Sequence, residues 1–308
     1  MRKTYLILFA FLFAACSAPA APTATPTSST RVEAIPTALP TSGVSVTSPT
    51  MPAPTLISVA VVAHRGGAAL APENTLAAFE NALKIGVDMV ECDVHLSKDG
   101  EVVVMHDPNV STTTNGSGRI SDLTLAELKK LNAAAKFRGG FAPQTIPTLA
   151  ELLDLVKGKV AIQIEIKVNA SNARYPGIER KVIDLVNARG MTDQVAVISF
   201  DFPTIKEIKT IDPRIKTGAL VNAAWMLARA VATPERIVAE AIEPTGADYF
   251  LPAAGSVNEA IVQAAHARGV RIGVWTVDAP QDMCRYAGYG VDAITTNNQD
   301  ELKRALGK

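Results

Sequence analysis

From residue 59 onward, short apolar runs alternate with stretches in which apolar residues return every three or four positions, the period of an amphipathic helix. The runs are VAVVAH (59–64), VDMVECDV (87–94), VAIQIEIK (160–167), VAVISF (195–200), KTGAL (216–220), ADYFL (247–251), RIGVWTV (271–277) and DAITT (292–296). Strands that alternate with helices imply a parallel sheet, and this many units imply a (β/α)8 TIM barrel, with a doubly wound open sheet as the alternative. Thr124-x-x-Glu127, Thr148-x-x-Glu151 and Ser256-x-x-Glu259 each fit a capping box and mark helix starts. Gly86, Gly158, Gly190 and Gly269 stand where helices should end.

One run breaks the rhythm. EVVVMHD (101–107) looks like a strand, yet only SKDG separates it from the strand before. A parallel neighbour needs a crossover of about a dozen residues, so a β-hairpin excursion is expected after the second strand. With Asp99-Gly100 as the turn, Lys98 faces Glu101 and His106 faces Asp93. Side chains alternate along a strand, so Glu91 and Asp93 share a face and converge with His106; a slip of one residue would turn His106 away. His95 falls on the same face, one step further out, and is read as rim. Cys92 points into the wall. In AIQIEIK, Ile162, Ile164 and Ile166 face the helices while Gln163, Glu165 and Lys167 point inward. An inward Glu–Lys pair near the C-terminal end of a barrel strand, where barrel active sites are built, is costly unless it pairs or binds something.

The front of the chain has a different texture. MRKTYLILFAFLFAAC (1–16) has a basic start, a short apolar run and small residues before Cys16, the pattern of a secretory signal peptide. Its Ala-Ala-Cys end resembles the lipobox of bacterial lipoproteins, although Phe13 departs from the leucine usual there. That resemblance implies lipidation at Cys16 and an exported protein anchored to a membrane in a bacterial envelope. Residues 17–55 form a linker in which 30 of 39 positions are Pro, Thr, Ser or Ala. Such a segment buries too little apolar surface to offset its ordering entropy, and is expected to be a disordered tether. Residues 56–308 are then one globular domain. With 30 basic and 30 acidic residues and no basic run, nucleic-acid binding has no compositional support and no such partner is expected. Cys92 and Cys284 lie far apart, which favours separate thiols over a bridge joining them.

The inward and strand-end residues are His64, Arg65, Glu91, Asp93, His106, Glu165 and Lys167. Three carboxylates suit a hard divalent cation, Ca²⁺ or Mg²⁺, whereas zinc prefers more histidine or cysteine. Arg65 and Lys167 can hold a phosphate, one through a planar fork and one as a point charge. Two histidines suit general acid–base work. Singly, each residue has a structural reading: a capped strand end, a solvated acid pair or a surface ion pair. Together they read as phosphoryl transfer to water or to an internal hydroxyl.

HRG-x5-PENT-x3-F (64–79), E-x-D-V-x-L-S-K-D-G (91–100), V-V-x-H-D (103–107) and E-I-K (165–167) resemble the glycerophosphodiester phosphodiesterases. IPTLAELL (146–153), GVWTVD (273–278) and GVDAITT (290–296) agree, in the family's order. The resemblance implies hydrolysis of a glycerophosphodiester to sn-glycerol 3-phosphate and an alcohol. By it, His64 and His106 are the acid–base pair, Glu91, Asp93 and Glu165 hold the metal, Arg65 and Lys167 contact phosphate, and Trp275 is an apolar wall beside glycerol. It also implies a small cap inserted at about 107–147. Three positions depart from the family's pattern: Thr112 stands where many members have arginine, Asn297 where Asp is frequent, and Asp278 where Asn is common. Alternatives are a lysophospholipase D-like or polymer-directed phosphodiesterase using the same residues, and a surface lipoprotein that binds glycerophosphodiesters without turnover.

Overall fold

The computed structural model describes residues 59–308, so the predicted signal segment, Cys16 and the 17–55 linker lie outside the described residues. The chain runs β1 (Ala60–Ala63), α1 (Leu76–Ile85), β2 (Met89–Leu96), β3 (Val102–Val104), α2 (Leu125–Leu128), α3 (Leu149–Val156), β4 (Ala161–Ile166), α4 (Ile178–Ala188), β5 (Val195–Ser199) and α5 (Phe202–Ile211). It continues through β6 (Lys216–Val221), α6 (Ala223–Leu227), α7 (Pro234–Ile242), β7 (Tyr249–Pro252), α8 (Glu259–Ala267), β8 (Arg271–Val274), α9 (Pro280–Gly288), β9 (Ala293–Thr296) and α10 (Gln299–Ala305). Strands follow one another in the order β1-β9-β8-β7-β6-β5-β4-β2, and β1 also pairs with β2, which closes a parallel (β/α)8 barrel. The open-sheet alternative is thereby excluded. The main core lies between the outward strand faces (Val61, Cys92, Ile162, Ile164, Val197) and the inner faces of the helices (Phe79, Leu153, Ile183, Ile208). Burial of such side chains, at roughly 1.5–3 kcal/mol each, is the main force holding helices to barrel. Cys92 is a free, buried thiol, so no bridge joins it to Cys284.

Capping follows the expected chemistry at two helices and shifts at a third. Thr124 and Thr148 each accept from the amide three residues on while Glu127 and Glu151 reach back to the cap. At α8 the cap is Asn258 rather than Ser256: Ile261 N–H donates to Asn258 Oδ1 at 3.1 Å, and Ser256 ends a short three-ten turn. Asn258 immediately precedes the helix that begins at Glu259, and asparagine caps as well as serine does.

The hairpin forms, but in the neighbouring register. Val94 faces Val104, His95 faces Val103 and Leu96 faces Val102, so Asp93 lies opposite Met105 and not His106. The turn takes three residues, Lys98 to Gly100: Ser97 N–H donates to Glu101 O at 2.9 Å, Gly100 adopts φ 79°, and Ser97 Oγ donates to Asp99 Oδ1 at 2.6 Å. The feared consequence does not follow, because regular pairing ends at Val104 and the next residues leave the ladder. β1 pairs only with Met89 and Val90 of β2, which leaves the rest of that edge for β3. Between β3 and α3, Val110, Ile120, Leu128, Ala133 and Ile146 form a small core of their own with Val103 and Met105.

Candidate active site

The first strand ends in HRGG, and each residue there does a different job. Arg65 sits in the left-handed region (φ 53°), and its amide donates to Glu91 Oε2 at 2.8 Å, so the strand end fixes one carboxylate through backbone. The two glycines serve the turn (φ 81° and 101°), and protein approaches them closely: a Cβ on Gly66 would lie 2.9 Å from that of Ala78, and one on Gly67 would lie 2.1 Å from Gln299 Nε2. The PENT segment completes the anchor. Glu73 holds Arg65 Nη1 at 3.0 and 3.1 Å, Asn74 Nδ2 donates to Asp93 Oδ2 at 2.9 Å, and Thr75 caps α1.

A cavity of about 180 Å³ at the C-terminal mouth of the barrel is lined by His64, Arg65, Glu91, His106, Glu165, Lys167 and Trp275, together with Gln163 and several apolar residues. Every site residue inferred from the sequence within the described residues lines it except Asp93. Asp93 is buried directly beneath, with Lys167 Nζ 3.4 Å from its Oδ1 and Arg65 Nε 3.6 Å from its Oδ2. Lys167 Nζ also pairs with Glu165 Oε1 at 2.8 Å. Glu91, Asp93 and Glu165 each present an oxygen within 4.8 Å of the others, all three side chains buried.

The donor set fits a hard divalent cation, and the test lies in what the carboxylates lack. Glu91 Oε1 is buried without a hydrogen bond, and Asp93 Oδ1 has only the Lys167 ammonium at 3.4 Å beside it, an arrangement that is costly unless a further cation completes it. Burial and the adjacent Asp93 and Glu165 carboxylates push the Glu91 carboxyl well above its usual range. Burial likewise lifts Glu165, to about 7, against the opposing pull of Lys167. At Asp93 the attraction of Lys167, His106 and Arg65 outweighs burial and favours the ionised form. Two cations for three carboxylates leave room for one more positive partner.

The two histidines have unlike partners. His64 Nδ1 is 2.7 Å from Asn297 Oδ1, and the same asparagine donates from Nδ2 to Asp278 Oδ2 at 2.7 Å. Because the amide NH₂ is already committed, Oδ1 is the acceptor, His64 carries its proton on Nδ1, and Nε2 is left bare. Burial, helped by the Arg65 charge, lowers the His64 pKa to about 4. His106 Nδ1 instead faces a carboxylate, Asp107 Oδ1, at 2.7 Å. Burial lowers its pKa too, with Asp93 and Asp107 opposing.

Several contributors were not legible in the sequence. His95, expected at the rim, is fully buried: Nε2 is 3.0 Å from the His106 carbonyl and Nδ1 is 3.0 Å from the Tyr175 hydroxyl. Its ring therefore holds the backbone of the second histidine. Asn297 and Asp278, noted as separate departures, turn out to be one unit, since Asp278 also accepts from Asn297 N–H at 2.8 Å and Thr296 Oγ1 at 3.0 Å. On the far side of the cavity stand Ile198, Phe200, Leu220 and Leu251 beside Trp275. Trp275 Nε1 donates to Leu251 O at 2.8 Å, and its ring meets Phe200 edge-on at 5.3 Å.

Comparison with known proteins agrees with this geometry. Residues 64–301 match the model of the glycerophosphoryl diester phosphodiesterase family. A glycerophosphodiester phosphodiesterase of Caldanaerobacter subterraneus subsp. tengcongensis is 37% identical over 252 residues, covering 80% of this chain and 98% of the relative. Among solved structures, a glycerophosphodiester phosphodiesterase from Agrobacterium tumefaciens superposes with a TM-score of 0.66 at 27% identity, over 79% of this chain and 99% of that one. A phosphodiesterase of Oleispira antarctica, solved in complex with its product sn-glycerol-3-phosphate, gives 0.66 at 26% identity over 81% and 97% of the two chains.

Proposed function

This chain belongs to the glycerophosphoryl diester phosphodiesterase family and is a phosphoric diester hydrolase, and from that premise we propose that it releases sn-glycerol 3-phosphate from glycerophosphodiesters with His64 as base and His106 as acid. The observation that carries the assignment is the unlike partnering of the two rings. His64 has a neutral amide on Nδ1 and a bare Nε2, the form that accepts a proton. His106 has the Asp107 carboxylate on Nδ1, which favours the imidazolium that donates one. His64 takes the proton of water or of an internal hydroxyl as it attacks phosphorus, and His106 protonates the departing alkoxide; where the internal hydroxyl attacks, the cyclic phosphate it forms is then opened by water to sn-glycerol 3-phosphate. Arg65 and Lys167 face the phosphoryl oxygens from the side held by Glu73 and Glu165. Glu91, Asp93 and Glu165 would hold Ca²⁺ or Mg²⁺, which when bound offsets the charge that develops on phosphoryl oxygen.

The apolar residues opposite give the carbon atoms of glycerol a surface, with Trp275 as its outer wall. A cavity of about 180 Å³ suits glycerol better than an acyl chain, which favours a small diester over a lysophospholipid. The first test is sn-glycerol 3-phosphate release from glycerophosphocholine with Ca²⁺, with Mg²⁺ and with EDTA, beside His64→Ala. Metal-dependent release that disappears in the variant supports the reading. Diester binding without release, with either metal, would turn it into a binding lipoprotein.

The proposal extends to the N-terminal segment outside the described residues. Cys16 is read as the lipidated end of an exported protein, with residues 17–55 as the tether that holds the barrel off a membrane. Cys16→Ser should move the protein from the membrane fraction to the soluble fraction; unchanged membrane association would remove the anchor from the proposal.

A further inference from the structure

A second cavity adjoins the first. Its volume is about 550 Å³, and its walls include Arg65, His106, Asp107, Lys136, Phe137 and Arg138. Arg65 and His106 line both cavities, so the two meet across the proposed phosphate-binding arginine and the proposed acid. A diester with its phosphorus at the inner cavity must send its leaving oxygen toward His106, and the alcohol attached to that oxygen then lies in the outer cavity.

The charges there are unevenly matched. Glu73 is taken up by Arg65 at 3.0 Å, and Asp107 by His106 Nδ1 at 2.7 Å. Lys136 and Arg138 have no carboxylate partner among the described residues; Lys136 Nζ donates to the Ser111 carbonyl, which leaves its charge unneutralised at the cavity wall. Phe137, which also lines this cavity, meets Phe141 edge-on at 5.9 Å and adds an apolar surface to the wall. Thr112, also in the wall, is the residue that stands where arginine is frequent, and its hydroxyl is spent on Asp107. A cavity of this size is in the range that holds small ligands, about 300–1,000 Å³.

We propose that the outer cavity is a leaving-group subsite for an alcohol that itself carries a phosphate, recognised by Lys136 and Arg138. The inference rests on the phosphodiesterase reading of the inner cavity and deepens it by naming the substrate class: a glycerophosphodiester whose second half is anionic rather than a choline or ethanolamine cation. Chemistry at phosphorus is unchanged. Water or an internal hydroxyl supplies the new P–O bond, the bond to the leaving alcohol breaks, and that alcohol takes its proton from His106 and departs with its own phosphate intact.

The test compares glycerophosphoglycerol with the same diester phosphorylated on the free end of its leaving glycerol, using the full chain at fixed ionic strength. Two charge-assisted contacts should raise kcat/KM for the phosphorylated substrate by roughly ten- to a hundredfold. In Lys136→Gln/Arg138→Gln the ratio between the two substrates should fall to near one, while the charge-conserving Lys136→Arg/Arg138→Lys should keep most of it. A wild-type ratio near one, or a high ratio that survives the neutral double variant, overturns the subsite while the phosphodiesterase reading stands. Failure to cleave either substrate strikes that reading first and takes the subsite with it.

Discussion

The mouth of the barrel is divided in two. On the side built by β1, β2 and β4, nearly every side chain is charged or titratable and is fixed by a named bond: Glu91 by the Arg65 amide, Asp93 by Asn74, Arg65 by Glu73, His64 by Asn297. Across the cavity, β5, β6 and β7 contribute Ile198, Leu220 and Leu251, a small cluster packed against Trp275 and separate from the main core. The two halves constrain a ligand differently. Directed bonds set atoms to within tenths of an ångström and stabilise particular charge states, whereas packing sets shape and excludes water. The apolar half also strengthens the charged half, because charges facing a low-dielectric wall interact more strongly than charges facing water. On the proposed reading the charged half supplies catalysis and the apolar half supplies binding, so substitutions on the two sides should separate those quantities.

The largest effect should come from the histidines. His64→Ala and His106→Ala are each expected to lower kcat by about 10²–10⁴-fold, with thermal unfolding close to wild type because both side chains stand at the mouth rather than in the core. A comparable loss from Leu220→Ala with unchanged folding would break the comparison, since it would place catalytic weight on the apolar side.

Next comes the metal. Asn74→Ala removes the amide that orients Asp93 and should weaken Ca²⁺ or Mg²⁺ binding by roughly 10–100-fold, as outer-shell losses do. Affinity should also depend on pH in a set direction. With the Glu165 carboxyl raised to about 7, a proton occupies the site below that pH and competes with the cation, so binding tightens as pH rises through 7 and releases a proton as it does. Calorimetric titration in two buffers of different ionisation enthalpy reads that proton directly. Identical heats in both buffers, and the same affinity at pH 6 and 8, would mean that Glu165 is already ionised or is no ligand.

How much of this was legible in the sequence follows the same division. Charged residues announce themselves by breaking apolar strand patterns, so Glu91, Asp93, Glu165 and Lys167 could be placed from alternation, and His64 from its place at the end of the first strand. The barrel was legible because eight apolar runs recur with helices between them. The apolar wall was not, because Ile198, Leu220 and Leu251 look like any other strand residue and only barrel closure shows which of them face inward. Non-local bonds were equally hidden: Asn297 reaches His64 across 233 positions of the chain, and His95 reaches the His106 carbonyl beyond the end of the hairpin's regular pairing. The cap at α8 failed for a simpler reason, as Asn258 competes with Ser256 and the spacing rule cannot rank them.

The exchanged pair at positions 278 and 297 tests the charged half more finely. Asn297→Asp puts a carboxylate on His64 Nδ1, which stabilises the imidazolium and raises the His64 pKa from its depressed value near 4. The acidic limb of kcat/KM, set by loss of the free base, should therefore move to higher pH. It also sets two carboxylates against each other, since Asn297 Nδ2 no longer donates to Asp278. Asp278→Asn/Asn297→Asp restores a donor and an acceptor in exchanged positions, and should recover most of the activity that the carboxylate–carboxylate repulsion costs the single variant, while keeping the shifted limb. Recovery of activity with an unshifted limb would show that the pair braces the loop and does not tune the histidine.

The smallest effect is expected at the outer edge of the apolar half. Trp275→Phe keeps an aromatic ring beside Phe200 but loses the indole N–H bond to the Leu251 carbonyl, which is worth about 1 kcal/mol. For a domain of this size that corresponds to a fall in Tm of about 2–4 °C. If Trp275 acts by shaping the glycerol surface, its ring can settle differently in ground state and transition state alike, so KM should rise by about fivefold while kcat holds. A fall in kcat at constant KM would instead mean that the wall is felt only in the transition state. The simplest physical route to that is a cavity made wetter on the charged side, where water would weaken every interaction that fixes the phosphoryl group. The division between a catalytic half and a binding half would then have to be redrawn as one site whose charges depend on the wall that faces them.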